Sequence, residues 1–250
     1  MLNDKKEDIG ARIISLISHK LRTPLSIING YSDAVLFQKD KEKLSPFTAK
    51  AIEEINKQGK NLADLIDRLL MFGKADDMKA QDITKTPLNV REIIFDAAKS
   101  ALTLEDAPAE TTLLIKGDHI IFGNIRIEIN CPSDITVMGN ETLLKSALRE
   151  LVLNAVKFNK NVEKITKIYC LKHSSNISIS VKDNGSGIRP GEVSRIFDRF
   201  YQVDEFFTGQ VEGWGLGLPF VKRVMDLHEA SISVVSDVGL GSVFSLTLPN

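Results

Sequence analysis

The sequence Val181-Lys-Asp-Asn-Gly-Ser-Gly-Ile188 combines the end of a predicted strand with an acidic residue and a Gly-x-Gly pair. It continues the alternating run Ile177–Val181, which predicts a half-buried strand. Directly after that strand come an acidic residue, Asp183, and two glycines, Gly185 and Gly187. Because glycine reaches positive φ and lets a ligand approach the main chain, the stretch predicts a carboxylate held beside accessible backbone. A simple strand-ending turn is the alternative for this stretch taken alone.

A second glycine-rich stretch, Gly213-Trp-Gly-Leu-Gly-Leu218, precedes Pro219 and a helical pattern at Phe220–Leu227. Glycines at alternate positions before a helix indicate backbone amides and the positive end of a helix dipole turned toward phosphate. The spacing is neither that of the GxxxxGKS/T loop nor that of the GxGxxG dinucleotide fingerprint. The chain therefore predicts a phosphate site of a different kind.

A predicted helix over Leu143–Phe158 offers a third set of polar groups. Glu150, Asn154 and Lys157 recur at helical spacing on one face. The apolar positions of this helix are Leu144, Ala147, Leu148, Leu151, Val152 and Ala155. The pattern predicts a helix that is buried on one side and faces a polar ligand on another, with a solvated helix face as the alternative.

The N-terminal part, from about Ile9 to Phe72, predicts two helices separated by a turn at Gln38–Pro46. The first helix has an apolar seam with steps of three and four, at Ile14, Ile17, Leu21, Pro24, Ile28, Tyr31 and Val35. The second helix has an apolar inner face at Ile52, Ile55, Leu62, Leu65, Ile66, Leu69 and Phe72. Two helices alone bury too little surface to be stable, so we expect a homodimer that forms a four-helix bundle. A hairpin packed on the rest of its own chain is the alternative.

Beyond a predicted linker at Gly73–Pro87, the pattern becomes mixed α and β. Alternating runs at Ile125–Ile129 and Gly241–Pro249 predict further strands, whereas Leu104–Thr112 has no clear pattern. We therefore expect an α+β chain with two domains, a helical one over residues 1–78 and a mixed one over residues 79–250.

Composition narrows the classes of function. With 32 Lys and Arg against 33 Asp and Glu, the formal net charge is -1, and no basic face for a nucleic acid is expected. The two cysteines, Cys131 and Cys170, lie in different segments, which favours a reduced compartment over a disulfide framework or a zinc site. The sequence has neither an apolar run that could span a membrane nor a signal peptide. We expect a cytoplasmic location, with any membrane attachment made by segments absent from this chain.

Taken together and in this order, the helix and the two glycine-rich stretches resemble the GHKL-type ATP-binding domain shared by histidine kinases, Hsp90-type chaperones, MutL and type II topoisomerases. The resemblance covers about Ile83–Pro249. Between the glycine-rich stretches, Ile196-Phe-Asp-Arg-Phe-Tyr201 resembles the phenylalanine box of histidine kinases. In the N-terminal part, Ser18-His-Lys-Leu-Arg-Thr-Pro-Leu25 resembles their dimerisation and phosphoacceptor box. The chain is thus similar to the catalytic core of a sensor histidine kinase.

This resemblance implies a two-layer α/β sandwich that binds ATP and Mg²⁺. By it, Asn154 binds the Mg²⁺, Lys157 lies near the phosphates, and Asp183 accepts a hydrogen bond from the adenine amino group. Glu150 is expected near the Mg²⁺ and its waters, and Gln202–Glu212 is the expected mobile lid. The other residues expected at the adenine pocket and the phosphates are Phe158, Gly185, Gly187, Ile188, Gly213, Gly215, Leu216, Gly217 and Leu218.

His19 is the expected phosphoacceptor. On the predicted helix it falls opposite the apolar seam, and a largely neutral imidazole at neutral pH offers a nitrogen lone pair as the nucleophile. Thr23 follows four residues later on the same face, and Pro24 should bend the helix. By the resemblance, His19 takes the γ-phosphoryl group of ATP and passes it to an aspartate of a response regulator, while Thr23 helps orient the water that dephosphorylates the regulator.

One residue departs from the family pattern, because Lys20 stands where histidine kinases usually have Glu or Asp. By the resemblance, that carboxylate acts as a general base, a task that an exposed lysine does not perform at neutral pH. We therefore expect weakened but not abolished autophosphorylation. The alternatives are a degenerate kinase that acts as a nucleotide-binding scaffold, a phosphatase-biased enzyme that acts through Thr23, and a non-kinase ATPase of the same superfamily.

Overall fold

The computed structural model describes residues 21, 25–35, 45–102, 112–202 and 215–250. The chain forms two compact units, Met1–Asp77 and Met78–Asn250. In the described part of the chain, no helix combines the length and the apolar character that crossing a bilayer requires.

The first unit is a pair of helices. Residues 25–35 are helical and are here called α1, and α2 runs from Pro46 to Asp77. Ser45 caps the start of α2, because its Oγ accepts a hydrogen bond from the Thr48 backbone N–H at 3.1 Å. Pro46 suits the first helical position, where its missing N–H leaves no donor unpaired. The Ser-Pro pair read as a turn in the sequence is thus the start of a helix.

Small and polar residues join α1 to α2. Asn56 Nδ2 donates a hydrogen bond to Asp33 Oδ1 at 2.9 Å. Gly59 is buried against Asn29, whose side-chain oxygen would overlap a Cβ atom at position 59. The two helices therefore approach closely only because position 59 carries no side chain.

The apolar residues of the helical unit are only partly covered within one chain. Leu25, Ile66 and Phe72 are buried. Apolar side chains that remain exposed on α1 and α2, some from the predicted seam, are Ile28, Tyr31, Ile55 and Leu62, and Leu21 before α1 is exposed as well. One hairpin alone therefore leaves an apolar surface in contact with water.

The second unit contains a seven-stranded and a two-stranded sheet. The strands are β1 Thr86–Asn89, β2 Leu113–Lys116, β3 His119–Phe122, β4 Ile125–Asn130, β5 Thr136–Gly139, β6 Lys164–Lys172, β7 Asn176–Asp183, β8 Ser231–Asp237 and β9 Gly241–Pro249. The large sheet has the order β2-β3-β4-β6-β7-β9-β8, and β1 pairs with β5 in the small one. In the large sheet, β4 and β6 are parallel and the other neighbours are antiparallel.

Three helices pack on this unit: α3 Val90–Leu102, α4 Glu141–Lys157 and α5 Gly217–Leu227. Helix α4 contacts α3, α5 and the central strands β6 and β7. All apolar positions predicted for α4 are buried, and burial of a single leucine contributes about 1.5–3 kcal/mol. The core therefore lies between the helical layer and the large sheet.

His228 ties the end of α5 to the start of α4. Its Nε2 accepts a hydrogen bond from the Asn140 backbone N–H at 2.9 Å, so Nδ1 carries the proton and donates to the Val224 carbonyl at 2.8 Å. Burial lowers the pKa of the His228 imidazole, with a smaller lowering from the charge of Lys85 and an opposing contribution from Val224. The side chain is therefore a neutral structural bridge between the two helices.

The structure confirms the expected α+β fold with a helical N-terminal part and a two-layer α/β sandwich. It corrects the end of the second helix and the start of the first strand. The predicted linker Gly73–Pro87 is wrong, because α2 continues to Asp77, a 3₁₀ turn forms at Ala80–Asp82 and β1 begins at Thr86. Burial of Ala75 explains the extra turn of α2, since it adds packing that the sequence pattern did not reveal. The regions predicted as a turn at Gln38–Pro46 and as patternless at Leu104–Thr112 lie almost entirely outside the described residues.

Candidate functional site

Asp183 ends β7 at the rim of the large sheet. Its Oδ1 accepts hydrogen bonds from the backbone N–H groups of Gly185 at 2.7 Å and of Ser242 at 3.3 Å. Burial raises the pKa of the Asp183 carboxyl, and these backbone donors oppose the rise. The two backbone donors thus hold one carboxylate oxygen in place, which fixes the orientation of the whole carboxylate.

The backbone after Asp183 has to be glycine at two positions. Gly187 has φ 69°, and a Cβ atom there would overlap the carbonyl of Asp237 at the end of β8. At Gly185, a Cβ atom would lie 2.9 Å from the Phe158 carbonyl oxygen. The glycines predicted from the sequence therefore serve close packing of the loop on its neighbours, and this packing holds the backbone beside Asp183.

The end of α4 is fastened to this loop. The Phe158 carbonyl accepts hydrogen bonds from the backbone N–H of Ser186 at 3.2 Å and from its hydroxyl at 3.1 Å. The buried side chain of Asn159 donates to Asn184 Oδ1 at 2.6 Å, and Asn184 Oδ1 also accepts from the Ile165 N–H at 2.8 Å. Asparagines are common in loops, so no sequence pattern predicts this bridge between α4, β6 and β7.

Ile188 is held by a second set of hydrogen bonds. Its backbone N–H donates to Ser236 Oγ at 2.8 Å, and Ser236 Oγ lies 2.9 Å from Ser242 Oγ. The loop after β7 is therefore attached to both β8 and β9. Only the main chain of Ile188 takes part in these bonds.

Thr166 is a further candidate that sequence analysis missed. It lies on β6 directly across from Asp183 on β7, and it is fully buried. Among the described residues, its hydroxyl has no hydrogen-bond partner. Cross-strand neighbours on one face lie within reach of the same ligand, so Thr166 can offer a donor and an acceptor beside the Asp183 carboxylate.

The polar face predicted for α4 is present. Glu150 is almost fully buried beside Arg149, with 3.3 Å between its Oε1 and Arg149 Nη1. Asn154 and Lys157 follow on the same face and are half-buried. Among the described residues, the Asn154 side-chain amide makes no hydrogen bond, whereas Lys157 lies 5.9 Å from the ring centre of the exposed Phe158.

The described part of the second glycine-rich stretch, residues 215–218, leads into α5. Gly215 has φ 63°, its carbonyl accepts a hydrogen bond from the Phe200 N–H at 2.9 Å, and a Cβ atom at position 215 would overlap Phe200 and Tyr201. The segment that resembles the phenylalanine box therefore packs directly on the second glycine-rich stretch. Gly217 is the first residue of α5, three residues earlier than predicted, with Leu216 before it and Leu218 in the first turn.

Part of the predicted site lies outside the described residues. This holds for His19, Lys20 and Thr23 of the phosphoacceptor segment and for Gly213. It also holds for the predicted lid Gln202–Glu212 except Gln202 itself. Among the described residues, the structure brings Asp183, Gly185, Gly187 and Ile188 together with the end of α4.

Comparison with known proteins covers both units. Residues 11–77 match the family described as the His Kinase A (phospho-acceptor) domain. Residues 139–250 match the family of histidine kinase-, DNA gyrase B-, and HSP90-like ATPases. The phosphoacceptor segment and the three polar stretches therefore fall within the two matched regions.

Two curated relatives match along nearly the whole chain. The sensor-like histidine kinase SenX3 of Mycobacterium tuberculosis (strain ATCC 25618 / H37Rv) is 30% identical over 238 residues, which cover 94% of this chain and 53% of that protein. The phosphate regulon sensor protein PhoR of Pseudomonas aeruginosa is 30% identical over 239 residues, which cover 96% of this chain and 50% of that protein. The chain spans about half the length of these relatives.

A solved structure shares the fold. The crystal structure of full-length ShkA in complex with AMPPNP aligns with a TM-score of 0.68 at 22% identity, over 95% of this chain and 45% of that one. With a phospho-acceptor domain followed by an ATPase domain, the chain contains a sensor histidine kinase catalytic core.

Proposed function

We propose that this chain is an ATP-dependent protein-histidine kinase of a two-component system and that His19 accepts the phosphoryl group. The observation that carries this proposal is the order of the two matched domains, a phospho-acceptor domain at residues 11–77 and an ATPase domain at residues 139–250. His19 belongs to the first and Asp183 to the second. A chain with these two domains would carry both the histidine that accepts the phosphoryl group and the site that binds ATP, the phosphoryl donor.

Asp183 is the proposed adenine-binding residue. Its Oδ1 is occupied by two backbone donors, which leaves Oδ2 to accept a hydrogen bond from the adenine amino group. Guanine has a carbonyl at that place, which would leave the half-buried carboxylate unpaired, so the site selects adenine. Thr166 supplies a hydroxyl next to the carboxylate, directly or through a water.

The polar face of α4 is the part of the proposed site that would hold the phosphates and Mg²⁺. The amide oxygen of Asn154 suits Mg²⁺, which takes neutral oxygen ligands, keeps several waters and shares the phosphates. When bound, Mg²⁺ neutralises charge on the β- and γ-phosphates. Lys157 adds positive charge. Glu150, which lies one turn before Asn154, is suited to orient a water. The glycine-rich stretch ending at Leu218 offers backbone amides at the start of α5.

The proposed reaction is a transfer between two nucleophiles. A ring nitrogen of His19 attacks the γ-phosphorus in line, the bond to the β,γ-bridging oxygen breaks, and ADP leaves. An aspartate carboxylate of a response regulator then attacks the phosphohistidine and regenerates the imidazole. Positioning and electrostatics supply most of the acceleration in phosphoryl transfer, so Lys20 slows the first step without preventing it.

The proposed assembly is a homodimer with domains 1–78 and 79–250. Support for the dimer comes from the apolar side chains left exposed on α1 and α2, which a second hairpin would cover. Support for the boundary comes from the division of the chain after Asp77. We place the binding site of the response regulator on the helical domain. We place the protein itself in the cytoplasm, where ATP is available.

The direct test uses ATP labelled at the γ-phosphate. We expect a label on the chain that is lost in acid, stable in alkali, and absent from His19→Ala. Addition of a receiver domain should move the label to the receiver. A label that survives His19→Ala, or a chain that binds ATP and gains no label, would contradict the proposal.

Lys20 is the observation that favours a second candidate, a phosphatase-biased enzyme that acts through Thr23. This candidate predicts that His19→Ala still removes phosphate from a phosphorylated receiver domain, whereas His19→Ala combined with Thr23→Ala does not. Equal receiver half-lives with and without the protein would exclude it.

A further inference from the structure

The two cysteines of the chain lie side by side on the large sheet. Strands β4 and β6 are parallel neighbours, and their last registered pair is Asn130 with Tyr169. Cys131 directly follows the end of β4, and Cys170 is the next residue within β6. Neighbouring strands lie about 4.7–4.9 Å apart, which falls within the Cα separation of about 4.4–6.8 Å that a disulfide requires.

Both thiols lie on the same face of the sheet. In β4 the buried positions are Ile125, Ile127 and Ile129, and Cys131 continues this alternation. In β6 they are Thr166, Ile168 and Cys170. Cys131 and Cys170 are 3% and 5% exposed, so they face each other in the core on the side of the helices.

The surroundings make the two thiols unequal. A hydrogen bond from the Cys170 thiol to the Cys131 sulfur, helped by the nearby charge of Arg91, lowers the pKa of Cys131 despite its burial. The same hydrogen bond and burial raise the pKa of the Cys170 thiol. Arg91 is held in place, since it donates to the Cys131 carbonyl at 2.8 Å and pairs with Asp118. Cys131 is therefore the nucleophilic thiol of the pair.

An open depression borders this buried pair of thiols. This depression of about 590 Å³ is lined by Arg91, Asp118, Asn130, Cys131, Pro132 and Ser133. Cys170 is not among its lining residues. Access from solvent therefore leads to the Cys131 side of the pair.

The geometry points to a reversible redox modification site, in which a peroxide oxidises Cys131 and Cys170 to an intrachain disulfide. The Cys131 thiolate attacks one oxygen of hydrogen peroxide, the O–O bond breaks, and a sulfenic acid forms as hydroxide leaves and takes up a proton. The Cys170 thiol then loses its proton and attacks the sulfenic sulfur, which forms the S–S bond and releases water. Two thiols are oxidised by two electrons, and one peroxide is reduced to two waters.

The link would close a loop around the helix of the candidate site. Residues between Cys131 and Cys170 include β5 and all of α4, which carries Glu150 and Asn154. The site does not depend on the proposed kinase activity, because the chemistry uses only the two thiols and a peroxide. Transient, redox-sensing disulfides are the kind expected in a reducing compartment.

The test uses the folded full-length chain, hydrogen peroxide and intact-mass measurement. We expect a loss of two hydrogen masses, a peptide pair joining Cys131 to Cys170, no free thiol after denaturation, and full reversal by dithiothreitol. Two alkylatable thiols after treatment, added oxygen atoms without a link, or a link between two chains would each overturn the proposal.

Two single variants test the order of the steps without requiring the disulfide. In Cys170→Ser, the sulfenic acid on Cys131 has no partner, so dimedone should trap it. In Cys131→Ser, Cys170 should be trapped roughly tenfold less, because burial still raises the pKa of its thiol and Cys170 does not line the depression. The same measurement on wild-type protein unfolded in urea is the control, since there the two thiols should react alike. Equal trapping in the two folded variants would contradict the assignment of Cys131 as the attacking thiol.

Discussion

At the scale of single residues, burial of the Asp183 carboxylate has a cost for the stability of the fold. Burial raises the pKa of its carboxyl, so the folded state favours the protonated form. That preference contributes stability below the unfolded pKa, and the contribution is lost as pH rises through the folded pKa. At neutral pH the ionised carboxylate is therefore destabilising, and the proposed adenine contact would offset that cost.

Asp183→Asn should keep the fold and lose the nucleotide. The asparagine Oδ1 can still accept the N–H groups of Gly185 and Ser242, but its NH₂ group meets the adenine amino group as a second donor. We expect ATP affinity to fall about ten- to a hundredfold, as for a lost buried hydrogen bond of about 1–3 kcal/mol. Calorimetric titration measures the affinity, and the melting temperature should be unchanged or higher. Asp226→Asn, an exposed substitution on α5, is the matched control. Unchanged ATP affinity in Asp183→Asn would contradict the adenine assignment.

Lys20→Glu should raise the rate of autophosphorylation. The substitution restores a carboxylate directly after His19, and general-base assistance is worth about 10²–10⁴-fold. Single-turnover labelling at saturating ATP measures the chemical step, and Lys20→Gln separates removal of a positive charge from gain of a base. A rate in Lys20→Glu no higher than in Lys20→Gln would show that residue 20 does not act as a base.

Residue roles could be predicted where chemistry restricts the amino acid. A carboxylate followed by two glycines has few uses, and Asp183, Gly185 and Gly187 were found together at the rim of the sheet. Asn159 and Asn184 were missed because their partners come from three separate elements. Thr166 was missed because it lies in a strand and its position opposite Asp183 depends on strand pairing.

At the scale of elements, the loop after β7 depends on a glycine that the backbone requires. Gly187→Ala introduces a positive-φ residue whose Cβ overlaps the Asp237 carbonyl. We expect a loss of at least about 1–3 kcal/mol in unfolding free energy, together with weaker ATP binding. Urea unfolding measures the first. Gly191→Ala is the matched control, because a Cβ atom there has no neighbour within 4 Å, and a Gly187→Ala protein as stable as this control would contradict the loop geometry.

The bridge between α4 and α5 should make the fold sensitive to acid. Burial lowers the pKa of His228 from 6.5, so the neutral imidazole contributes stability above the unfolded pKa. That contribution is lost as pH falls through the folded pKa, with a slope of at most about 1.4 kcal/mol per pH unit. Urea unfolding at a series of pH values should show this slope in the wild type and a shallower one in His228→Gln, which keeps an acceptor for the Asn140 N–H. Parallel pH profiles would contradict the bridge.

Elements were predicted best where periodicity was strong. Helix α4 and the strands β4, β7 and β9 were found because their apolar alternation is regular. The strand β1 was read as part of a linker, because its four residues include Pro87 and pair only with β5 across a long separation in sequence.

At the scale of the whole molecule, the exposed apolar side chains of the helical hairpin predict a dimer. Ile55→Glu places a charge on this surface and should shift the protein to a monomer at concentrations where the wild type is dimeric. Light scattering coupled to size exclusion measures the mass. Lys50→Glu changes charge on the opposite face of α2 and should leave the dimer intact. A wild-type chain of monomer mass would contradict the dimer.

The fold class was predictable because the hydrophobic periodicity and the order of the motifs both indicated a helical part followed by a mixed α and β part. The oligomeric state was harder to predict than the fold. A hairpin has the same apolar seam whether it pairs with a second chain or packs on its own chain. The predicted linker began too early, because α2 runs without a break to Asp77.

The central claim is that the ATP bound at Asp183 phosphorylates His19. The most direct measurement is the mass-spectrometric location of phosphate after incubation with ATP and Mg²⁺, under conditions that preserve phosphohistidine. We expect phosphate on His19 in the wild type, none in His19→Ala, and strongly reduced phosphate in Asp183→Asn. Phosphate on another residue, or none on a chain that binds ATP, would contradict it.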